Sequence, residues 1–229
     1  MTMVCAQIVF GQSSTASLSG RVLSEEGRAL RATVTLKFAA ARGYPAPPRR
    51  ARSDANGNFS FSKLPPGTYK VCAQVATSEA APANSPYIDT CDWPSGQPPI
   101  TVAAGQQVTG VMFTAPKGAW LKLHAADPDH VLPSTAAKAP APLDTALQFI
   151  LKGPDGLSRH ARHVTSDNAG RHYQIAVPLK TPLSLRVTST AGDVFDQTGK
   201  QKKDDDDMPL QAASPAGLDD LHFALHRKQ

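Results

Sequence analysis

Ser53-Asp54-Ala55-Asn56-Gly57-Asn58-Phe59-Ser60-Phe61 decides the fold class. Asp and Asn side chains bond to nearby backbone, and Gly adopts positive φ without steric cost, so Ser53–Gly57 reads as a tight turn. After it, Phe59 and Phe61 alternate with polar residues, the period of a strand buried on one face. Upstream, Ala32–Phe38 (ATVTLKF) puts Ala32, Val34, Leu36 and Phe38 on one face and Thr33, Thr35 and Lys37 on the other. Ala16–Leu23 (ASLSGRVL) alternates on Leu18, Gly20 and Val22. Downstream, Pro65-Pro66-Gly67 reverses the chain. Thr68–Val75 (TYKVCAQV) then sets Tyr69, Val71, Ala73 and Val75 on one face and Cys72 on the other. Ile100–Val102 and Val108–Thr114 complete a series of short strands separated by turns, the pattern of a β-sandwich.

Composition agrees. The 229 residues include 16 Gly and 20 Pro, a turn-rich usage, and 41% hydrophobic residues, enough for packed cores. The length suits two domains. No apolar stretch is long enough to span a membrane as a helix. The net charge is +5, with Arg42, Arg49, Arg50 and Arg52 clustered around the Pro-rich segment Tyr44-Pro45-Ala46-Pro47-Pro48. Such a cluster could meet phosphates, but no nucleic-acid motif surrounds it, so it reads as a solvated loop and no nucleic acid is expected.

The blocks Ser19-Gly20-Arg21-Val22, Gly27-Arg28-Ala29-Leu30, Ala32–Leu36, Ser53–Phe61 and Leu64-Pro65-Pro66-Gly67-Thr68-Tyr69 resemble, in order and spacing, the carboxypeptidase regulatory-like domain family. The resemblance covers about residues 16–118. It implies a seven-stranded Greek-key sandwich of transthyretin-like or carbohydrate-binding-like fold, without an active site. In this family the domain accompanies peptidases, outer-membrane receptors and bacterial surface proteins. No HxxE zinc-ligand motif stands in this chain.

The second half echoes the first. Ser166-Asp167-Asn168-Ala169-Gly170 repeats the Asp and Gly spacing of Asp54 and Gly57. Ala146–Leu151, Leu183–Val187 and Gly217–Leu225 parallel Ala32–Phe38, Tyr69–Ala73 and Gly105–Phe113. The expectation is therefore an all-β chain of two tandem Greek-key sandwiches with very little helix. Residues 16–118 form the first and 119–229 a diverged second. Loops are expected near 127–142, which is rich in Pro and Ala, and near 199–215, which carries Lys202-Lys203-Asp204-Asp205-Asp206-Asp207. That acidic run lacks the alternate spacing and Gly of a calcium loop.

Residues 1–15 contain the apolar run Met3–Phe10 followed by small polar residues, which reads as a truncated secretory signal or as a plain N-terminal strand. Cys5 falls within it. Cys72 and Cys91 then form an even pair, either a disulfide suited to an oxidising compartment or two buried thiols.

Sequence motifs for catalysis are missing: no GxSxG, P-loop or GxGxxG is present. The seven His all lie in the second half. His222 and His226 share a strand face but lie too far apart along it for one metal. Whether His124, His160 and His172 converge is not readable, so no metal and no cofactor are expected. The chain reads as a non-enzymatic, secreted, periplasmic or surface binding or adhesion-type module of a bacterium, with a glycan or an envelope protein as partner. The alternative is a structural spacer or accessory subunit of an envelope complex. Tyr44, Tyr87 and Trp93, aromatics in Pro-rich loops, are the candidate contact groups; alternatively, Trp93 only covers the end of a core beside Cys91.

Overall fold

A computed structural model describes residues 15–39, 47–76, 86–93, 96–133, 145–214 and 218–228. Among these the chain is all strand and turn. No helix in them is long and apolar enough to cross a membrane. The chain divides into two units: Met1–Ala76 with Pro94–Thr114, and Thr77–Trp93 with Ala115–Gln229.

The first unit contains β1 (Ala16–Ser24), β2 (Ala32–Phe38), β3 (Arg49–Arg52), β4 (Asn58–Leu64), β5 (Gly67–Val75), β6 (Ile100–Val102) and β7 (Gln107–Ala115). Two sheets result, ordered β4-β1-β7 and β3-β2-β5-β6. The alternation read from sequence sets their inner faces. Leu18, Val22, Val34, Leu36, Phe59, Phe61, Tyr69 and Phe113 are buried, and Phe59 and Phe61 meet edge to face at 6.1 Å. Gly57 sits at φ +77, and a Cβ there would meet the Val22 carbonyl at 2.4 Å, so this turn requires glycine. Asp54 Oδ1 closes the turn by accepting from the amides of Asn56 and Asn58, both at 2.8 Å.

Of the arginine cluster, Arg42 lies outside the described residues, and Arg49, Arg50 and Arg52 differ from the expectation of a loop. Arg49–Arg52 forms β3 and pairs antiparallel with β2, Thr35 opposite Arg50. As the edge of its sheet it needs no apolar alternation, and charged side chains there discourage further strand pairing.

The second unit contains β8 (Gly118–Ala126), β9 (Leu147–Lys152), β10 (Ser158–His160), β11 (Arg162–Asp167), β12 (Gly170–Pro178), β13 (Leu183–Ser189), β14 (Asp193–Asp196), β15 (Gln201–Lys202), β16 (Asp207–Leu210) and β17 (Leu221–His226). Its sheets run β10-β9-β13-β16 and β11-β12-β8-β17-β14-β15. Leu121, Leu123, Phe149, Leu151, Tyr173, Leu185 and Phe223 form its core. The strand order of the first unit recurs here. β4-β1-β7 corresponds to β12-β8-β17, and β3-β2-β5-β6 to β10-β9-β13-β16, with β11, β14 and β15 added.

The charged run near residue 204 also departs from a plain loop. β15 and β16 flank it, and Asp207 pairs with Arg186 at 2.8 Å across the β13–β16 ladder. The remaining acids stay in the connecting turn. Of the loop expected near 127–142, residues 134–142 lie outside the described residues, as does the N-terminal segment 1–14 with Cys5.

Candidate functional site

Trp93 is 6% exposed and belongs to the core of the second unit. Its indole N–H donates to the Ala176 carbonyl at 3.0 Å. The Arg159 guanidinium lies over its ring, 3.9 Å from the centroid. Arg159 is itself buried, bonded to Asp155 and to the Asp92 carbonyl. The ring face that a ligand would stack on is therefore occupied from within. Tyr87 is half-buried and forms an isolated β-bridge with Lys117. Tyr44 lies outside the described residues. Of the described aromatics singled out from sequence, Trp93 is thus part of a core.

Cys72, on β5, and Cys91, after the turn at Asp89, are disulfide-bonded. Asp89 Oδ1 accepts from the Cys91 amide at 2.9 Å. Burial pushes the Asp89 carboxyl above the ordinary aspartate range, and the Cys91 amide only partly opposes this.

A different cluster comes from the histidines. β8 lies between β12 and β17 in one sheet. His172 is directly opposite His124 in the antiparallel β12–β8 ladder, and His222 is opposite His124 in the parallel β17–β8 ladder. Leu123, Ala125, Arg171, Tyr173, Phe223 and Leu225 turn inward. Side-chain alternation then puts the three histidines together on the outer face. The His124 ring centroid lies 4.6 Å from that of His172 and 5.4 Å from that of His222. His160 stands apart, on β10 in the other sheet. His226 shares the outer face but contacts Asp129 at 3.3 Å and Phe195.

Asp167 joins the histidine row at the end of the β11–β12 hairpin. Its Oδ1 accepts from the amides of Ala169 and Gly170, at 2.8 and 3.0 Å, which fixes the carboxylate. Its Oδ2 lies 2.8 Å from His172 Nε2. That contact holds the Asp167 carboxyl below the ordinary range, with help from the two amides. Partial burial lowers the His124 pKa, and neighbouring His172 and His222 lower it further. The ligand atoms of His124, His172 and Asp167 all lie within 4.8 Å of one another. Beside this row runs an open groove of about 670 Å³, lined by His124, His222, His226, Phe195 and Phe223.

Sequence reasoning singled out His124 and His172 but could not join them. They lie far apart in the chain, and only the register of β8 against β12 brings them together. The one local signal was the Asp167–Gly170 turn, which fixes where β12 begins.

Residues 17–116 match the family model of the carboxypeptidase regulatory-like domain. No curated protein matches the chain. Among solved structures, the Bacillus anthracis TIE protein aligns at 13% identity and TM-score 0.32, covering 94% of this chain and 34% of that one. A streptococcal ancillary pilin aligns at 13% identity and TM-score 0.38, covering 92% and 62%. The minor pilin of Streptococcus agalactiae aligns at 11% identity and TM-score 0.35, covering 94% and 98%. The chain therefore spans about a third of the first of these proteins and under two thirds of the second.

Proposed function

We propose that this chain, in which residues 17–116 form a carboxypeptidase regulatory-like domain, is a non-catalytic module exported to a bacterial cell envelope, where it acts by binding. The observation that carries the reading is the disulfide between Cys72 and Cys91. Structural disulfides form and persist in oxidising compartments, whereas cytosolic thiols are kept reduced. The matched family supports a scaffold role for the first unit. Binding then falls to outward sheet faces and loops. The partner is a glycan or an envelope protein.

Fractionation of the native host, followed by alkylation of free thiols under denaturing conditions, tests the compartment. Cys72 and Cys91 are expected to resist alkylation until a reductant is added, in protein recovered outside the cytoplasm. Recovery in the cytosol with both thiols free would overturn the reading.

A second reading is a structural spacer within an envelope complex. The recurrence of one strand order in both units favours it, since a repeated sandwich is a building unit rather than a specialised site. So does the burial of Trp93, which removes one aromatic from any ligand surface. A glycan and peptidoglycan binding screen on the full chain separates the two. Saturable binding to a defined glycan supports the first, and capture of an envelope protein without glycan binding supports the second.

A further inference from the structure

His124, His172 and Asp167 are more than a hydrogen-bonded pair beside a second imidazole. A capped turn explains Asp167, and a hydrogen bond to it explains His172. Neither explains a second imidazole in register at 4.6 Å. The arrangement brings a nitrogen of each ring and a carboxylate oxygen within reach of one positive partner.

We propose that His124, His172 and Asp167 bind one divalent transition-metal ion on the outer face of the second unit, with Zn²⁺ as the reference ion. The donor chemistry selects the class. Two imidazoles and one carboxylate suit Zn²⁺, Cu²⁺, Ni²⁺ or Co²⁺, whereas Ca²⁺ and Mg²⁺ require mostly oxygen donors. The donor atoms already lie within 4.8 Å of one another. Zn–N and Zn–O bonds of about 2.0–2.2 Å put tetrahedral donors roughly 3.3–3.6 Å apart, so the His172–Asp167 contact at 2.8 Å opens slightly while any wider pair closes, changes that side-chain rotation can supply.

Preorganisation comes from three sources. The two histidines stand on paired strands, with β8 flanked on both sides. The carboxylate is held through Oδ1 by Ala169 and Gly170, which leaves Oδ2 directed at His172. The His172 side chain is 38% exposed and that of Asp167 53%, so an ion can enter from solvent. On binding, His172 takes the tautomer with its proton on Nδ1, so Nε2 and the Asp167 carboxylate each donate a lone pair to the ion in place of the hydrogen bond between them. Three protein donors leave a fourth position open to water or to a donor from a partner molecule. His222 stands on the far side of His124 from His172 and lies outside the donor set. None of this depends on the chain being exported.

Isothermal titration of the full chain with ZnCl₂, on protein carrying no polyhistidine tag, tests the site. One saturable site per chain is expected, with a zinc-dependent rise in Tm. His124→Ala and His172→Ala should each weaken binding by about 10- to 100-fold or more and abolish the rise. Asp167→Asn should also weaken it. That variant keeps an acceptor for the Ala169 and Gly170 amides, so the turn and the fold persist, and circular dichroism checks this. His222→Ala should bind within about threefold of the parent. The proposal fails if no saturable binding occurs up to millimolar Zn²⁺. It also fails if folded His124→Ala and His172→Ala bind like the parent, or if His222→Ala alone removes binding.

Discussion

Trp93 carries two readings in sequence, a ligand platform or a core cover, and burial decides between them. A ring 6% exposed, bonded through its N–H and covered by a buried guanidinium, is core. Trp93→Ala should therefore cost about 3–5 kcal/mol, the range for truncating a large buried aromatic. Trp93→Phe keeps a ring beneath Arg159 but loses the bond to Ala176, so its cost should be smaller. Urea denaturation of both variants checks the order, and equal stabilities would refute it. Asp89 offers a pH test in the same segment. Burial raises its folded-state pKa, so folding favours the protonated acid. Its contribution is fully present below the ordinary aspartate pKa of about 3.9 and is lost as pH rises through the raised value. Asp89→Asn keeps an acceptor for the Cys91 amide and removes the ionisable group. It should be more stable than the parent at pH 7 and show a flatter stability profile just above pH ~4. A variant less stable at pH 7 and unchanged in profile would contradict this. Sequence could not reveal either environment. Trp93 and Asp89 sit in a Pro-rich loop without periodicity, and periodicity is what makes burial readable.

At the scale of elements, legibility followed alternation. β1, β2, β4 and β5 stand where period-two patterning put them, because each turns its apolar set to the core, although Thr35 on β2 and Cys72 on β5 are buried on the other face as well. Arg49–Arg52 escaped because an edge strand with both faces exposed carries no apolar signal; its burial pattern is nearly all exposed. β15 and β16 escaped for a related reason, since charge repulsion in Asp204–Asp207 suggested only solvent. The strand instead begins at Asp207, where Arg186 neutralises the last acid of the run. The β11–β12 hairpin carries the strongest element-level test. Gly170 sits at φ +145, and a Cβ there would meet the Ala125 carbonyl at 2.1 Å. Gly170→Ala must therefore push β12 away from β8, whose register sets His172 opposite His124. The variant should lose stability and also weaken Zn²⁺ binding by at least tenfold, with no donor residue altered. Gly156→Ala is the control for backbone strain: Gly156 also has positive φ but has open space around its Cβ position. It should lower stability modestly and leave Zn²⁺ affinity unchanged. Equal affinity in the two variants would disconnect the hairpin from the site.

Across the whole molecule, the recurrence of one strand order was legible only as an echo. The spacing of Asp54 and Gly57 returns in Asp167 and Gly170, yet the two turns join different partners. In the first unit the turn leads from β3 in one sheet to β4 in the other; in the second it closes the β11–β12 hairpin within one sheet. A turn motif specifies local backbone, and the sheet pairing depends on the strands around it. Which core a loop serves was likewise invisible. The sequence places Pro86–Trp93 well before β8, but its bonds run to the start of that strand. The Ile88 amide donates to the Pro116 carbonyl at 2.9 Å, and the Gly118 amide donates to the Pro86 carbonyl at 2.8 Å. Ile88 fills the space above Gly118, where a Cβ would lie 2.1 Å from its Cδ1. Ile88 and Trp93 are both buried in the second core. Cutting the chain at the boundary expected from sequence removes both side chains. By large-to-small core magnitudes that loss is about 2–5 kcal/mol for Ile88 and ~3–5 for Trp93. Together these rival the whole stability of an ordinary domain, roughly 5–15 kcal/mol. Residues 119–229 expressed alone should therefore bind a hydrophobic dye and melt without a cooperative transition, while the full chain melts cooperatively. Adding Ile88→Ala to the full chain should lower its Tm in the same direction by a smaller amount. A cooperative melt of the 119–229 fragment at the temperature of the full chain would show that the Pro86–Trp93 segment contributes nothing to the second core.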